Sequence, residues 1–164
     1  MLFRSVQLLT LSLDSNVVVD LMRGTRPHFR DRLGEALTAG EELVISVIAV
    51  EELVLGAHLS ARPKLQLATL TRVLMDFRAE AWTLEDALVT GELRAEHERL
   101  GRRLPSYDTL IAGQALARGW TIVTGNVRDF REVKGLAIID WSDPAGPIEV
   151  SAAETGVRRR PPED

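Results

Sequence analysis

The chain keeps changing its hydrophobic period. Short apolar runs stand at "VQLLTLSL" (6–13), "ELVIS" (42–46), "WTIVT" (120–124) and "LAIID" (136–140), with a weaker one at "EAWTL" (80–84). Between them, apolar residues recur every three or four positions, as on one face of a helix. A strand with one wet face alternates apolar and polar residues, and these runs are too apolar for that. They need cover on both faces, which a parallel sheet flanked by helices supplies. Helices are expected at "RPHFRDRLGEALTAG", ending on Gly40, and at "VIAVEELVLGAHLS", with Ser46 as N-cap. Three more are expected at "PKLQLATLTRVLMDF", with Pro63 in its first turn, "EDALVTGELRAEHERL" and "YDTLIAGQALARG". The expected fold is α/β, a single domain with a central parallel sheet flanked by helices.

A chain of 164 residues with 45% hydrophobic content suits one domain with a sizeable core. Residues 1–10 are expected to form a short extension leading into the first strand, and residues 11–141 the domain. From Ser142 the periodicity stops, and residues 142–164 are expected to form a disordered tail. The opening "MLFRSVQLLTLSLD" meets acid and polar residues too early for a membrane span and lacks a small-residue cleavage site. A soluble, cytoplasmic protein with no membrane partner is expected.

The absence of cysteine excludes disulfides and thiolate zinc sites, and His28, His58 and His97 are too scattered for an imidazole cluster. A net charge of −4 argues against a generally basic nucleic-acid coat, but says nothing of local patches. Apart from Lys64 and Lys134 the basic residues are arginines, gathered around Arg23–Arg32 and Arg94–Arg103. The arginine fork suits phosphate. The plainer reading is two solvated helix faces.

Ligand sites in open α/β sheets lie beyond the carboxyl ends of the strands, so acids at those ends matter most. Asp14 ends the first strand, and Glu51 and Glu52 lie in the helix after the second. Asp108 opens the helix after "RRLPSY", while Asn126 and Asp129 follow "WTIVT". Each has a plainer reading: Asp14 as a cap, Asp108 as an acid suited to a helix N-terminus, Asp129 as a loop acid. In the helix after the second strand, Val47, Val50, Val54 and Ala57 outline the expected buried stripe, which leaves Glu52 well off its centre. Convergence of these acids changes the reading. Carboxylates brought together repel, and some stay protonated unless a cation sits between them. Mg2+ or Mn2+ suits such oxygen ligands, and magnesium binds through one or two carboxylates, which leaves room for substrate phosphate. Thr124, at the end of its run, is in reach to hydrogen-bond into such a site. A histidine-poor, cysteine-free, acid-lined site points to phosphate-ester chemistry.

The blocks "LDSNVVVDLMRG", "ISVIAVEELVLGA", "LPSYDTLIAGQALARGWTIVTGNVRDF" and "VKGLAIIDW", in this order, resemble a PIN-domain ribonuclease of the VapC toxin type over Leu11 to Trp141. The resemblance implies a parallel sheet flanked by helices, an acid cluster binding Mg2+ or Mn2+, and RNA as substrate. It also implies a cognate VapB-like antitoxin as partner and a homodimer. Carried over position by position, Asp14 matches the first metal-binding acid, with Ser15 and Asn16 as its small polar supports. The family pattern selects Glu52 rather than Glu51, and Asp108 matches the third acid. Many relatives have an aspartate where this chain has Asn126, whereas some VapC-type members carry an amide there and an acid just before the phenylalanine. Asp129 before Phe130 fits that second pattern and takes the fourth position, with Asn126 and Thr124 supporting. Asp14, Glu52, Asp108 and Asp129 are thus the expected catalytic and metal-binding residues. Arg23, Arg99, Arg102 and Arg103 are the candidates for RNA phosphate contact. Two other classes fit parts of the sequence. One is a catalytically weakened PIN-like RNA-binding module, suggested by Asn126. The other is an unrelated α/β phosphatase, which a second aspartate two residues after Asp14 and a lysine motif would support; neither is present.

Overall fold

The computed structural model describes residues 8–102 and 105–150. The chain runs β1 (Thr10–Leu13), α1 (Ser15–Arg23), α2 (Pro27–Thr38), β2 (Glu42–Ser46), α3 (Val47–His58), α4 (Pro63–Leu74) and β3 (Arg78–Glu80). It continues with α5 (Leu84–Arg99), α6 (Ser106–Arg118), β4 (Thr121–Thr124), a 3₁₀ turn (Val127–Asp129), β5 (Ala137–Asp140) and β6 (Ile148–Val150). One six-stranded sheet has the order β3-β2-β1-β4-β5-β6, parallel throughout except for the antiparallel β5–β6 pair.

The apolar runs dictate this order. Leu11, Leu13, Val44, Ile45, Ile122 and Val123 are all buried, so the strands that carry them occupy the middle of the sheet with helices over both faces. Leu11 of β1 lies in register with Leu43 of β2 on one side and Thr121 of β4 on the other. From β1 the chain winds outward to β2 and β3, then returns across to β4. That reversal makes the β1–β4 boundary a topological switch point, where a crevice opens beyond the carboxyl ends of the strands.

Local chemistry sets the helix ends. The Ser46 hydroxyl accepts from the Ile48 amide at 3.2 Å and starts α3 as its N-cap. Thr83 and Asp86 form a reciprocal capping box at the start of α5. Gly24 closes α1 at φ 65°, and Gly40 follows α2 at φ 80°, conformations that an L side chain resists. Buried Asp86 also accepts from the Arg118 guanidinium at 2.8 Å and 3.1 Å, tying α5 to α6. Those helices pack closely at Gly113: a Cβ added there would lie 1.9 Å from Thr90 Oγ1.

Four details differ from the sequence expectations. The third strand is Arg78–Glu80 rather than 80–84, because Thr83 is taken up by the α5 cap. The first strand pairs from Thr10, with Leu8 and Leu9 exposed; residues 6 and 7 lie outside the described residues. On α3 the fully buried stripe is Ala49, Leu53 and Ala57, whereas Val47 is 38% exposed and Val50 and Val54 sit on its flank. These three recur every four residues, one helical row facing the sheet, so the stripe is turned by one position and Glu52 stands at its border. The tail pattern also extends past Trp141: Asp140 and Asp143 side chains accept from the Ser142 and Ala145 amides, and the turn leads into β6, which covers the β5 edge. A three-residue strand preceded by Pro147 is too short to show periodicity. The remainder of that tail, and most of the N-terminal extension, lie outside the described residues.

Candidate active site

Asp14 sits where β1 ends and α1 begins. It occupies the N-cap position but makes no capping hydrogen bond. Instead its Oδ2 accepts from Thr124 Oγ1 at 2.8 Å and from Asn16 Nδ2. Asn16 Nδ2 also reaches Thr124 Oγ1 at 3.1 Å, and its Oδ1 accepts from the Gly125 amide at 3.0 Å. Thr124, fully buried, in turn accepts from the Asn126 amide at 2.9 Å. One continuous polar network thus fixes a carboxylate that is only 3% exposed. Gly125 packs closely here: a Cβ would lie 2.8 Å from the mobile end of Arg26, at Nη1, and 3.2 Å from Phe29 Cζ, so both neighbours would have to give way slightly.

The other expected acids converge on Asp14 from three separate elements. Burial pushes the Asp14 carboxyl up to about 6, with Glu52 and Asp129 adding to the rise and the Thr124 hydroxyl and Ser15 amide opposing it. Asp108, in the first turn of α6, is pushed up to about 7, first by burial and then by Asp14, Asp129 and Glu52. Among the described residues, no donor satisfies the Asp108 carboxylate. Glu52 brings a buried oxygen, Oε2, that has no hydrogen-bond partner. Asp129 lies in the 3₁₀ turn anchored by buried Phe130, and its Oδ2 accepts from Asn126 Nδ2. Asn126 is exposed and serves Asp129 as a donor.

Of the supporting and basic candidates, Ser15, Asn16 and Arg23 line a cleft of about 520 Å³ with Glu52, between α1, α3 and α4. Arg102 is exposed and donates to Glu132 at 2.9 Å, and Arg99 is exposed near the end of α5; no contact brings either to the acids. Arg103 lies outside the described residues.

Sequence reasoning missed Tyr107. Its hydroxyl donates to Glu51 Oε2 at 2.6 Å, linking α6 to α3 at the edge of the acid group. Glu51 was set aside as the neighbour of the family's acid, and no local pattern relates residues so far apart.

The donor set fits a hard divalent cation. Buried, mutually repelling carboxylates with a buried unpartnered oxygen are stabilised by a positive charge among them. Among the described residues no three acids or imidazoles lie together in a group that could hold a metal ion, so a cation here would rest on one or two carboxylates and its own waters.

A parallel sheet with acids beyond the carboxyl ends of its central strands is the class of α/β domain in which PIN domains fall. The chain belongs to the PIN domain family, whose model matches residues 11–136. It is 32% identical to the tRNA(fMet)-specific endonuclease VapC of Salmonella typhimurium, over 82% of this chain and 99% of that one. Among solved structures, VapBC2 from Rickettsia felis bound to a DNA fragment from their promoter matches with a TM-score of 0.77 and 26% identity, covering 81% of this chain and 99% of that one. DNA-bound VapBC from Salmonella typhimurium matches with a TM-score of 0.75 and 33% identity, covering 82% of this chain and 99% of that one.

Proposed function

We propose that the protein is the VapC-type toxin of a toxin–antitoxin pair, an endoribonuclease that hydrolyses RNA phosphodiester bonds with Mg2+ or Mn2+ as cofactor. The observation that carries the site assignment is the convergence of Asp14, Glu52, Asp108 and Asp129, with Glu52 Oε2 buried and unpartnered. Asp14 and Asp108 would hold the cation, assisted by Glu52 and Asp129. When bound, the cation neutralises charge on the scissile phosphate and acidifies a water. Thr124 and Asn16 keep the Asp14 carboxylate oriented, and Asn126 does the same for Asp129. Glu52 Oε2 is available to accept a proton from the attacking water. Arg23, which lines the same cleft as Glu52, would meet an RNA phosphate.

Family membership argues against the α/β phosphatase. The Asn126–Asp129 hydrogen bond also weakens the case for a catalytically weakened RNA-binding module, since the amide positions an acid rather than replacing one. Among the described residues no helix is long and apolar enough to cross a membrane, and this reading takes the protein to meet its RNA in the cytoplasm. A VapB-like antitoxin is the expected partner, because the matched solved structures are VapBC assemblies. The cleft between α1, α3 and α4 suits it, with Val19, Met22, Leu53 and Ala57 as apolar wall and Glu52 at its polar end.

The test is incubation of the purified chain with a tRNA(fMet) transcript and with total RNA, in manganese and in chelator. Manganese-dependent endonucleolytic cuts that Asp14→Ala abolishes are expected. Equal cleavage by Asp14→Ala and the unaltered chain would overturn the site assignment.

A further inference from the structure

We propose that Tyr107 is a substrate-binding residue, a platform on which a base flanking the scissile phosphate stacks, with its ring held in place by Glu51. The proposal rests on the ribonuclease reading above.

Among the described residues Tyr107 is the only exposed phenylalanine, tyrosine or tryptophan, at 37%. An exposed ring ordinarily rotates, and ordering it on binding costs affinity. This ring does not start free: its hydroxyl donates to a carboxylate at 2.6 Å across the α3–α6 boundary. The bond is open to solvent, and its role is to fix the direction of the hydroxyl and so of the ring.

Both ends of that bond adjoin the acid group in sequence, and Glu52 is near enough to the Tyr107 hydroxyl to act on it by charge. Tyr107 immediately precedes Asp108 in the first turn of α6, and Glu51 immediately precedes Glu52 on α3. The ring therefore spans from the helix that carries Asp108 to the helix that carries Glu52, along the rim of the site. Glu51 has no ion-pair partner among the described residues. Its one side-chain hydrogen bond among the described residues is to the ring it orients. With its polar end already bonded, the ring offers an apolar π-face to whatever approaches. A phosphate seated among the acids brings its flanking bases to this rim, and unpaired RNA bases bind on aromatic faces.

The experiment uses the full chain with manganese and tRNA(fMet). Once the cut is mapped, synthetic RNAs carrying an abasic nucleotide on either side of it are compared with intact RNA. Tyr107→Leu is expected to raise KM about 5- to 150-fold, the range of one base–aromatic stack, with kcat little changed. Tyr107→Phe and Tyr107→Trp keep a π-face and should retain most of the affinity. One abasic position should cost the unaltered chain the same factor and cost Tyr107→Leu nothing more, which a role confined to folding does not produce. The proposal is overturned if Tyr107→Leu loses equally on intact and abasic RNA, or if neither abasic position affects the unaltered chain. The second comparison decides even where a variant fails to fold. Cleavage with no base-dependent Tyr107 penalty removes this inference alone. No manganese-dependent cleavage of tRNA(fMet) or total RNA removes the ribonuclease reading, and this inference with it.

Discussion

The Thr124 hydroxyl donates to Asp14 Oδ2 at 2.8 Å, joining the last residue of β4 to the residue that follows β1. The bond spans the topological switch point and favours the ionised form of a carboxylate that burial drives toward protonation. Thr124→Val keeps the strand former and removes the donor. Hydrogen bonds to charged groups contribute about 1.5–3 kcal/mol, so we expect cation affinity to fall about 10- to 100-fold. The rising limb of the pH–rate profile should also move to higher pH. Manganese titration and the pH profile of RNA cleavage check this; an unmoved profile would show that Asp14 is held ionised by other groups.

Burial and mutual repulsion give the acids a second measurable consequence. Folding raises the Asp14 carboxyl from 3.8 to about 6 and the Asp108 carboxyl from 3.8 to about 7, so both bind a proton more tightly in the native state. Their contribution to stability is present below the ordinary value and is lost as pH rises through the folded values. Cation-free protein should therefore melt at a lower temperature at pH 8 than at pH 5, and added manganese should raise the melting temperature more at pH 8. Asp14→Asn removes one of the buried charges. It should abolish RNA cleavage while flattening the cation-free pH dependence, a combination that a merely unfolded variant cannot give. Calorimetric melts in chelator, at both pH values, decide.

The expectations for Asp14 and Asp108 were legible because each depends on local pattern: an acid at the end of an apolar run, and one in a first helical turn. Choosing between Glu51 and Glu52 needed more. The stripe expected through Val47, Val50 and Val54 is turned by one position from Ala49, Leu53 and Ala57. Periodicity over one short, nearly all-apolar helix cannot resolve such a turn; the sheet it packs against does. The Tyr107–Glu51 bond and the cap that shortens the third strand are likewise tertiary or competing local events. At the other extreme, β6 was hidden because three residues carry no period.

Asn126 and Asp129 follow β4 together, joined by a side-chain hydrogen bond. Asp129 is the charged member and Asn126 donates to it. Asp129→Asn should weaken manganese-dependent cleavage more than Asn126→Ala, since a carboxylate attracts a cation or orients its water while an amide offers only dipoles. Measured kcat/KM for the two variants at fixed manganese settles the order. The reverse ranking would mean that Asn126 itself contacts substrate or cation.

The α5–α6 contact sets where Asp108 stands, and Gly113 sets that contact. A Cβ at position 113 would lie 2.7 Å from Thr90 Cβ and 3.0 Å from its Cα, so rotating one side chain does not relieve the clash. Gly113→Ala should cost about 1–3 kcal/mol of stability by overpacking. Adding Thr90→Ala removes the hydroxyl contact but keeps the Cβ, so rescue should be partial. Full rescue by that second change, seen in denaturant melts, would show that α5 and α6 can shift apart freely.

The last prediction concerns the cleft of about 520 Å³ that ends at Glu52. An antitoxin segment lying against Val19, Met22, Leu53 and Ala57 can direct an arginine toward Glu52 and Asp14, whose carboxylates are those proposed for the cation. A guanidinium satisfies the buried, unpartnered Glu52 oxygen with a charge-assisted hydrogen bond, as a cation would satisfy it by charge alone. Two ligands that neutralise the same carboxylates oppose each other, and the opposition is reciprocal: manganese must weaken the antitoxin segment by the factor by which the segment weakens manganese. Calorimetric titration of a cognate antitoxin peptide, with and without manganese at fixed ionic strength, measures that factor while general screening is held constant. Glu52→Gln should reduce the opposition, because the amide keeps the shape of the cleft and removes one of the charges contested. Equal peptide affinity in both conditions would mean that an antitoxin acts by closing the RNA path along α1 and α3, leaving the carboxylates untouched.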